Sequence, residues 1–161
     1  MEAAFDPFAK RHASVYANDE FICVRSSTGY RSTIEDRIVA LLEPDAGEDE
    51  IGSSVLSALD SYRVLSLSEL GGVFGLDRVQ QRYAEWEQEL VAHAEYKSTK
   101  RIYRRLRRVS VRLSGTKLSV FASVKDRRNG FEGNGFSVTI DVSEGSVAVG
   151  NAVRKALAEC A

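Results

Sequence analysis

Between Val109 and Val124 the chain alternates apolar and polar side chains twice. Val109, Val111 and Leu113 alternate with Ser110 and Arg112, and after a Ser-Gly-Thr break Leu118, Val120, Ala122 and Val124 alternate again. Successive side chains of a strand point to opposite faces, so the pattern demands a β-hairpin with one buried face and Gly115 at its turn. Phe136, Val138, Ile140 and Val142 repeat the alternation and predict a third strand. The intervening "DRRNGFEGNG" reads as a polar, Gly-rich loop between strands. A phosphate cradle would instead deliver the chain into a helix N-terminus.

Helical spacing brackets this region. Ile51, Val55, Ala58, Leu59 and Tyr62 fall on one helix face. Glu48, Asp49 and Glu50 ahead of them suit the positive end of the helix dipole. Val149, Val153, Ala156, Leu157 and Cys160 repeat the same offsets near the C-terminus. "IGSSVLSAL" and "VGNAVRKAL" share Gly, Val, Ala and Leu in register, a likeness that fits two helices packed through their Gly faces but is read first as coincidence under one amphipathic constraint. Asp77, with Gln80 three residues on, has capping-box spacing for a helix over 78–94. Its buried stripe is Val79, Tyr83, Trp86 and Leu90. Glu20 to Val24 reads as a strand, and "RSTIEDRIVALLEP" fits a strand or a short helix. The summed expectation is an α+β single domain over residues 1–161. Its antiparallel sheet packs against several helices, its C-terminal half runs β-β-β-α, and residues 1–18 form a mobile N-terminal segment.

At 161 residues the chain suits one core. It has no long apolar run and no basic-then-apolar leader, so it reads as soluble and cytoplasmic, with Cys23 and Cys160 as thiols. His12 and His93 have no Cys or carboxylate at metal-ligand spacing. No phosphate loop or nucleophile elbow occurs. Neither a catalytic residue, a cofactor nor a metal is expected.

The charge is lopsided. Residues 1–96 carry 8 Lys or Arg against 18 Asp or Glu, whereas residues 97–161 carry 14 against 5. The acidic candidates for a partner surface are Asp45, Glu48, Asp49 and Glu50, with Glu85, Glu87 and Glu89. The basic candidates are Lys97, Arg101, Arg104, Arg105 and Arg108, which share one face if 97–108 is a helix with Ile102 and Leu106 turned inward. Such a face suits a nucleic acid, a protein partner or plain solvent. The pI of about 6.2 lies below that of domains that hold nucleic acid by charge alone.

The order of landmarks from Leu70 onward resembles the CdiI-type immunity proteins of bacterial contact-dependent growth inhibition. They are Tyr83 and Trp86; Tyr96, Lys97, Ser98, Lys100 and Arg101; Gly133 and Gly135; then Gly150, Ala156, Leu157 and Cys160. The resemblance covers about residues 50–161, Gly52 included, and departs from the family pattern at Arg104–Leu106 and Glu132. It implies a cytoplasmic protein that binds, one to one, the toxic C-terminal domain of a large exported effector, commonly a nuclease. A nuclease attracts polyanions, which favours the acidic side as its contact; a carboxylate-lined cleft would favour the arginines. The alternative function is a small RNA-binding module using the basic helix. Tyr83, Trp86, Ile102 and Leu106 are assigned to core support. Replacing Trp86 by Ala should therefore destabilise the protein by about 3–5 kcal/mol, read as a large fall in melting temperature. An unchanged melt would contradict the core assignment.

Overall fold

Alternating strands form one sheet that includes strands from the N-terminal third of the chain. The computed structural model describes residues 10–29, 33–64, 76–94, 100–125 and 130–160. Its strands are β1 (Lys10–Ala17), β2 (Ile22–Gly29), β3 (Thr33–Leu42), β4 (Arg63–Val64), β5 (Arg107–Ser114), β6 (Lys117–Lys125) and β7 (Phe131–Asp141). The helices are α1 (Glu48–Asp60), α2 (Leu76–Ala94), α3 (Lys100–Tyr103) and α4 (Ser146–Ala158), with a 3₁₀ turn at Val142–Glu144. Among the described residues one antiparallel path runs β3-β2-β1-β5-β6-β7, and β4 pairs in parallel with the end of β2. The fold is α+β, with the expected β-β-β-α C-terminal half.

The strand order reads alike from either edge. β1-β2-β3-α1 and β5-β6-β7-α4 are two βββα units whose first strands pair at the centre, Ala13 opposite Val111 and Ser14 opposite Ser110. α1 and α4 are equally long and 98 positions apart, Glu48 corresponding to Ser146 and Asp60 to Ala158. They pack on one face of the sheet and meet at glycines. A Cβ on Gly52 would lie 1.7 Å from the carbonyl oxygen of Ser146, and one on Gly150 would lie 1.9 Å from that of Glu48. The two contacts are the same contact made twice about an approximate two-fold axis. The shared Gly-Val-Ala-Leu register is thus a packing constraint rather than coincidence.

Each sheet face carries its own core. On the inner face Val15, Val24, Val109, Val111, Leu118 and Val120 lie under Ile51, Val55, Leu59, Val149, Val153 and Leu157. On the outer face α2 lowers Trp86 and Leu90 onto Tyr16, Phe21 and Cys23, beside Ile102 and Leu106. Trp86 is 2% exposed. Its ring centroid is 5.0 Å from that of Tyr16 and 5.0 Å from the Arg25 guanidinium carbon. Trp86, Ile102 and Leu106 are core, as expected; the Tyr83 side chain lies outside the described residues. Cys23 is buried and Cys160 half-buried, and the two are not joined by a disulfide.

Four expectations change. Residues 10–17, read as part of a mobile segment, form the central strand β1. The helix α2 is already under way at Leu76, so Asp77 lies inside its first turn rather than capping it. Phe131–Gly135, read as loop, belong to edge strand β7. Its register against β6 shifts between Phe121 and Ser123, and Gly135 supplies φ +90. The segment 97–108 is no single helix: α3 ends at Tyr103 and β5 begins at Arg107.

The helix crossing is directly testable. Gly52→Ala or Gly150→Ala must push two backbones apart, costing about 3 kcal/mol or more each. Gly47→Ala, where nothing lies within 4 Å of the added carbon, serves as the tolerated control. Denaturant melts of the three variants read the difference.

Candidate functional site

The acidic candidates fall into two groups on opposite sides of the sheet. Asp45, Glu48, Asp49 and Glu50 are exposed at the start of α1. The N-cap there is Gly47, which has no side chain to cap the helix, so these carboxylates face uncapped N–H groups. Two of them also stitch α1 to α4. Asp49 accepts from the Ser146 hydroxyl, and Glu48 lies 3.9 Å from Arg154 Nε. The Arg154 guanidinium donates in addition to the carbonyls of Ala46 and Pro44. The second group rides on α2 across the sheet. Glu85 and Glu89 are exposed, whereas Glu87 accepts a 2.6 Å hydrogen bond from the Tyr103 hydroxyl.

The basic candidates do not share a helix face. Lys97 lies outside the described residues, as does the side chain of Arg101 on α3. Arg104 and Arg105 are exposed in the turn after α3. Arg105 adopts φ 55, which ends the helix and lets Leu106 drop into the outer core. Its guanidinium bonds Asp19 at 3.2 Å. Arg108 sits on the outer face of β5, donating to Ser110 at 3.0 Å and Ser14 at 3.3 Å, with its guanidinium carbon 5.8 Å from the Tyr16 ring.

Sequence reasoning missed the surface that Arg108 borders. On β5, β6 and β7 the side chains turned away from the α1–α4 layer form two rows. Arg112 stands opposite Ser119 and Ser119 opposite Thr139; Ser110 stands opposite Phe121 and Phe121 opposite Ser137. The Arg112 guanidinium carbon is 4.8 Å from the Phe121 ring, and Ser119 and Thr139 share a 2.9 Å hydrogen bond. Ser137 and Thr139 are exposed. Along the margins, Lys117 bonds Asp141 at 3.4 Å, and Lys125 donates to the Tyr103 carbonyl at 3.0 Å. The signal was present in the polar half of each alternating strand, read there only as the solvent side.

His12, paired with Arg112 across β1 and β5, has its pKa lowered first by burial and then by the cations of Arg112 and Lys10. Among the described residues, no three His, Cys, Asp or Glu side chains gather as metal ligands. A cavity of about 430 Å³ opens between the β1–β2 turn and the end of α4, lined partly by Arg107 and Arg154. Both arginines are tied to backbone carbonyls, of Leu157 and Ala46 respectively. Among the described residues no helix is long and apolar enough to cross a membrane.

Residues 11–160 match the family model described as "CdiI: CDI immunity protein", and the chain belongs to that family. It is 25% identical over 166 residues to immunity protein CdiI-YPIII of Yersinia pseudotuberculosis serotype O:3 (strain YPIII), covering 92% of this chain and 94% of the relative. Two solved structures share its fold. A protein of unknown function, NMB0488 from Neisseria meningitidis, superposes with TM-score 0.91 at 20% identity, covering 98% and 99% of the two chains. A chain from the CdiA-CT/CdiI toxin and immunity complex of Yersinia pseudotuberculosis gives 0.84 at 22%, covering 95% and 98%.

The lowered pKa of His12 has a signed consequence. The native state disfavours the imidazolium, so the unfolded chain binds more protons. The contribution of His12 is complete above the ordinary pKa of 6.5 and is lost as pH falls below it. Denaturant melts at pH 7.5 and pH 5 should show a stability loss that is smaller in His12→Gln; an equal loss in both proteins would remove His12 as its source.

Proposed function

We propose that the chain acts without catalysis as a cytoplasmic immunity protein, binding one copy of its cognate toxin and neutralising it. The toxin is the C-terminal domain of a contact-dependent growth inhibition effector, a nuclease in this reading. The observation that carries the proposal is the family match, which spans all but the first residue of β1 and runs through α4. An inhibitor of this kind needs no reacting group; it needs a surface whose charge and shape meet the partner's.

Both charged sets are offered to the toxin. Asp45, Glu48, Asp49 and Glu50 form one acidic contact and Glu85, Glu87 and Glu89 another, while Lys97, Arg101, Arg104, Arg105 and Arg108 form the basic one. The geometry supports the basic side. The carboxylates are divided between two faces of the sheet and are partly engaged within the fold. Arg104 and Arg105 are exposed together beside the cationic margin of the outer face, Arg105 with its guanidinium bonded to the exposed Asp19. A helical RNA grip finds less support, because its arginine stripe is broken at Arg105.

The full chain, co-expressed with the polypeptide encoded immediately upstream of its gene, should purify as a one-to-one complex and restore growth. The opposite result is no complex, with steeply salt-dependent RNA binding that disappears in Arg104→Glu/Arg105→Glu. That outcome would replace immunity with nucleic-acid binding.

A further inference from the structure

The two βββα units are alike in their inner faces and unlike in their outer ones. In the first unit one outer row, Tyr16–Cys23–Leu41, is apolar and the next, Ser14–Arg25–Ile38, carries a hydroxyl and a guanidinium; α2 lowers Trp86 and Leu90 onto this face, and Ser14 and Arg25 are buried. The rows at the corresponding place in the second unit are Arg112–Ser119–Thr139 and Ser110–Phe121–Ser137. Ser137 and Thr139 are exposed there, so no helix of the described residues closes this half of the sheet. What covers the related face is itself informative. It is an amphipathic helix that lowers a large aromatic residue beside a buried arginine and carries Glu85, Glu87 and Glu89 on its other faces.

We propose that the outer face of β5–β7 is the toxin-docking surface, and that it receives an acidic patch of the toxin centred on Arg112. The proposal rests on the immunity reading above and supplies its contact surface. Charge complementarity names the partner's chemistry. Arg108, Arg112, Lys117 and Lys125 stand on this face or along its margin, and the carboxylate of Asp141 there is bound to Lys117. A solvated antiparallel face needs only polar residues. This one also holds Arg112 flat against Phe121 at 4.8 Å, a pre-ordered cation on an aromatic ring. Arginines and aromatics dominate the binding energy of protein interfaces when a partner excludes water around them. The row of hydroxyls beside them, with Ser119 and Thr139 already bonded to each other, supplies donors and acceptors at fixed spacing. Strand positions hold these groups still, so little ordering is lost on binding.

The test uses the full-length chain and the toxin domain obtained by separating and refolding the co-purified complex. Arg112→Glu, Thr139→Glu and Ser137→Glu are titrated against it, with melting curves to establish that each variant is folded. The last two change exposed hydroxyls and leave both cores untouched. Asn151→Glu, exposed on α4 across the sheet, controls for added charge. Arg112→Glu should weaken binding by at least about thirtyfold and each hydroxyl variant by about tenfold, with Asn151→Glu unchanged and growth rescue following the same order. If the unaltered chain binds the toxin and all three face variants bind within twofold of it, the surface is wrong while the immunity reading stands. If the unaltered chain fails to bind, both fall. Binding of a labelled RNA that is lost in Arg112→Glu, without toxin binding, would assign the face to nucleic acid instead.

Discussion

Gly52 and Gly150 let the backbones of α1 and α4 touch, each glycine lying against a carbonyl at the start of the other helix. Much else depends on that contact. Two helices crossing so closely present a continuous apolar underside, Ile51, Val55 and Leu59 from one and Val149, Val153 and Leu157 from the other. That underside spans strands from both units at once. Any side chain on either glycine would separate the helices and open the middle of the inner core, where voids are costly. The pairing of β1 with β5 below and of α1 with α4 above therefore hold one another in place.

Symmetry about this crossing makes the asymmetry of the outer face meaningful. Both units could have been closed by a helix, or both left polar. Instead the first is buried under α2, with the Trp86 ring against both Tyr16 and the buried Arg25. The second is hydroxylated and cationic, and no helix of the described residues covers it. An antiparallel sheet tolerates one wet face, and this chain wets only half of one. A binding protein gains from that arrangement, since the covered half anchors strands whose neighbours stay exposed to a partner.

Several elements were readable from residue order because local physics decides them. The β5–β6 hairpin followed from strict alternation around Gly115, and α1 and α4 from apolar spacing with small residues in register. Others depended on what lies far away in sequence. In "KRHASVYA" the alternation is present, but its outer side chains, Lys10, His12, Ser14 and Tyr16, include a charge, an imidazole and a hydroxyl. They read as a polar terminus until β2 and β5 are known to flank them. The arginines after Lys97 do repeat at helical spacing, yet Leu106 is required in the outer core and Arg107 opposite Ala17, so the helix stops early. The Gly-rich stretch before Phe136 passes as a loop by composition; only its partner β6 makes it an edge strand.

The chain alone determined its class, the buried stripes of its helices, the alternating strands of its second half and the lopsided charge that suits a protein partner. Family membership was legible too, in landmarks whose order survives where overall identity is low. Tertiary structure decided that the chain is two related βββα units, that its acidic residues are split across the sheet, and that Arg108 and Arg112 share one side of β5 with the hydroxyl rows of β6 and β7. The physical reason is that periodicity records which side of an element is buried, whereas charge acts through space. Which faces share a surface is settled only when non-local strand pairing and the glycine-mediated crossing bring distant elements together.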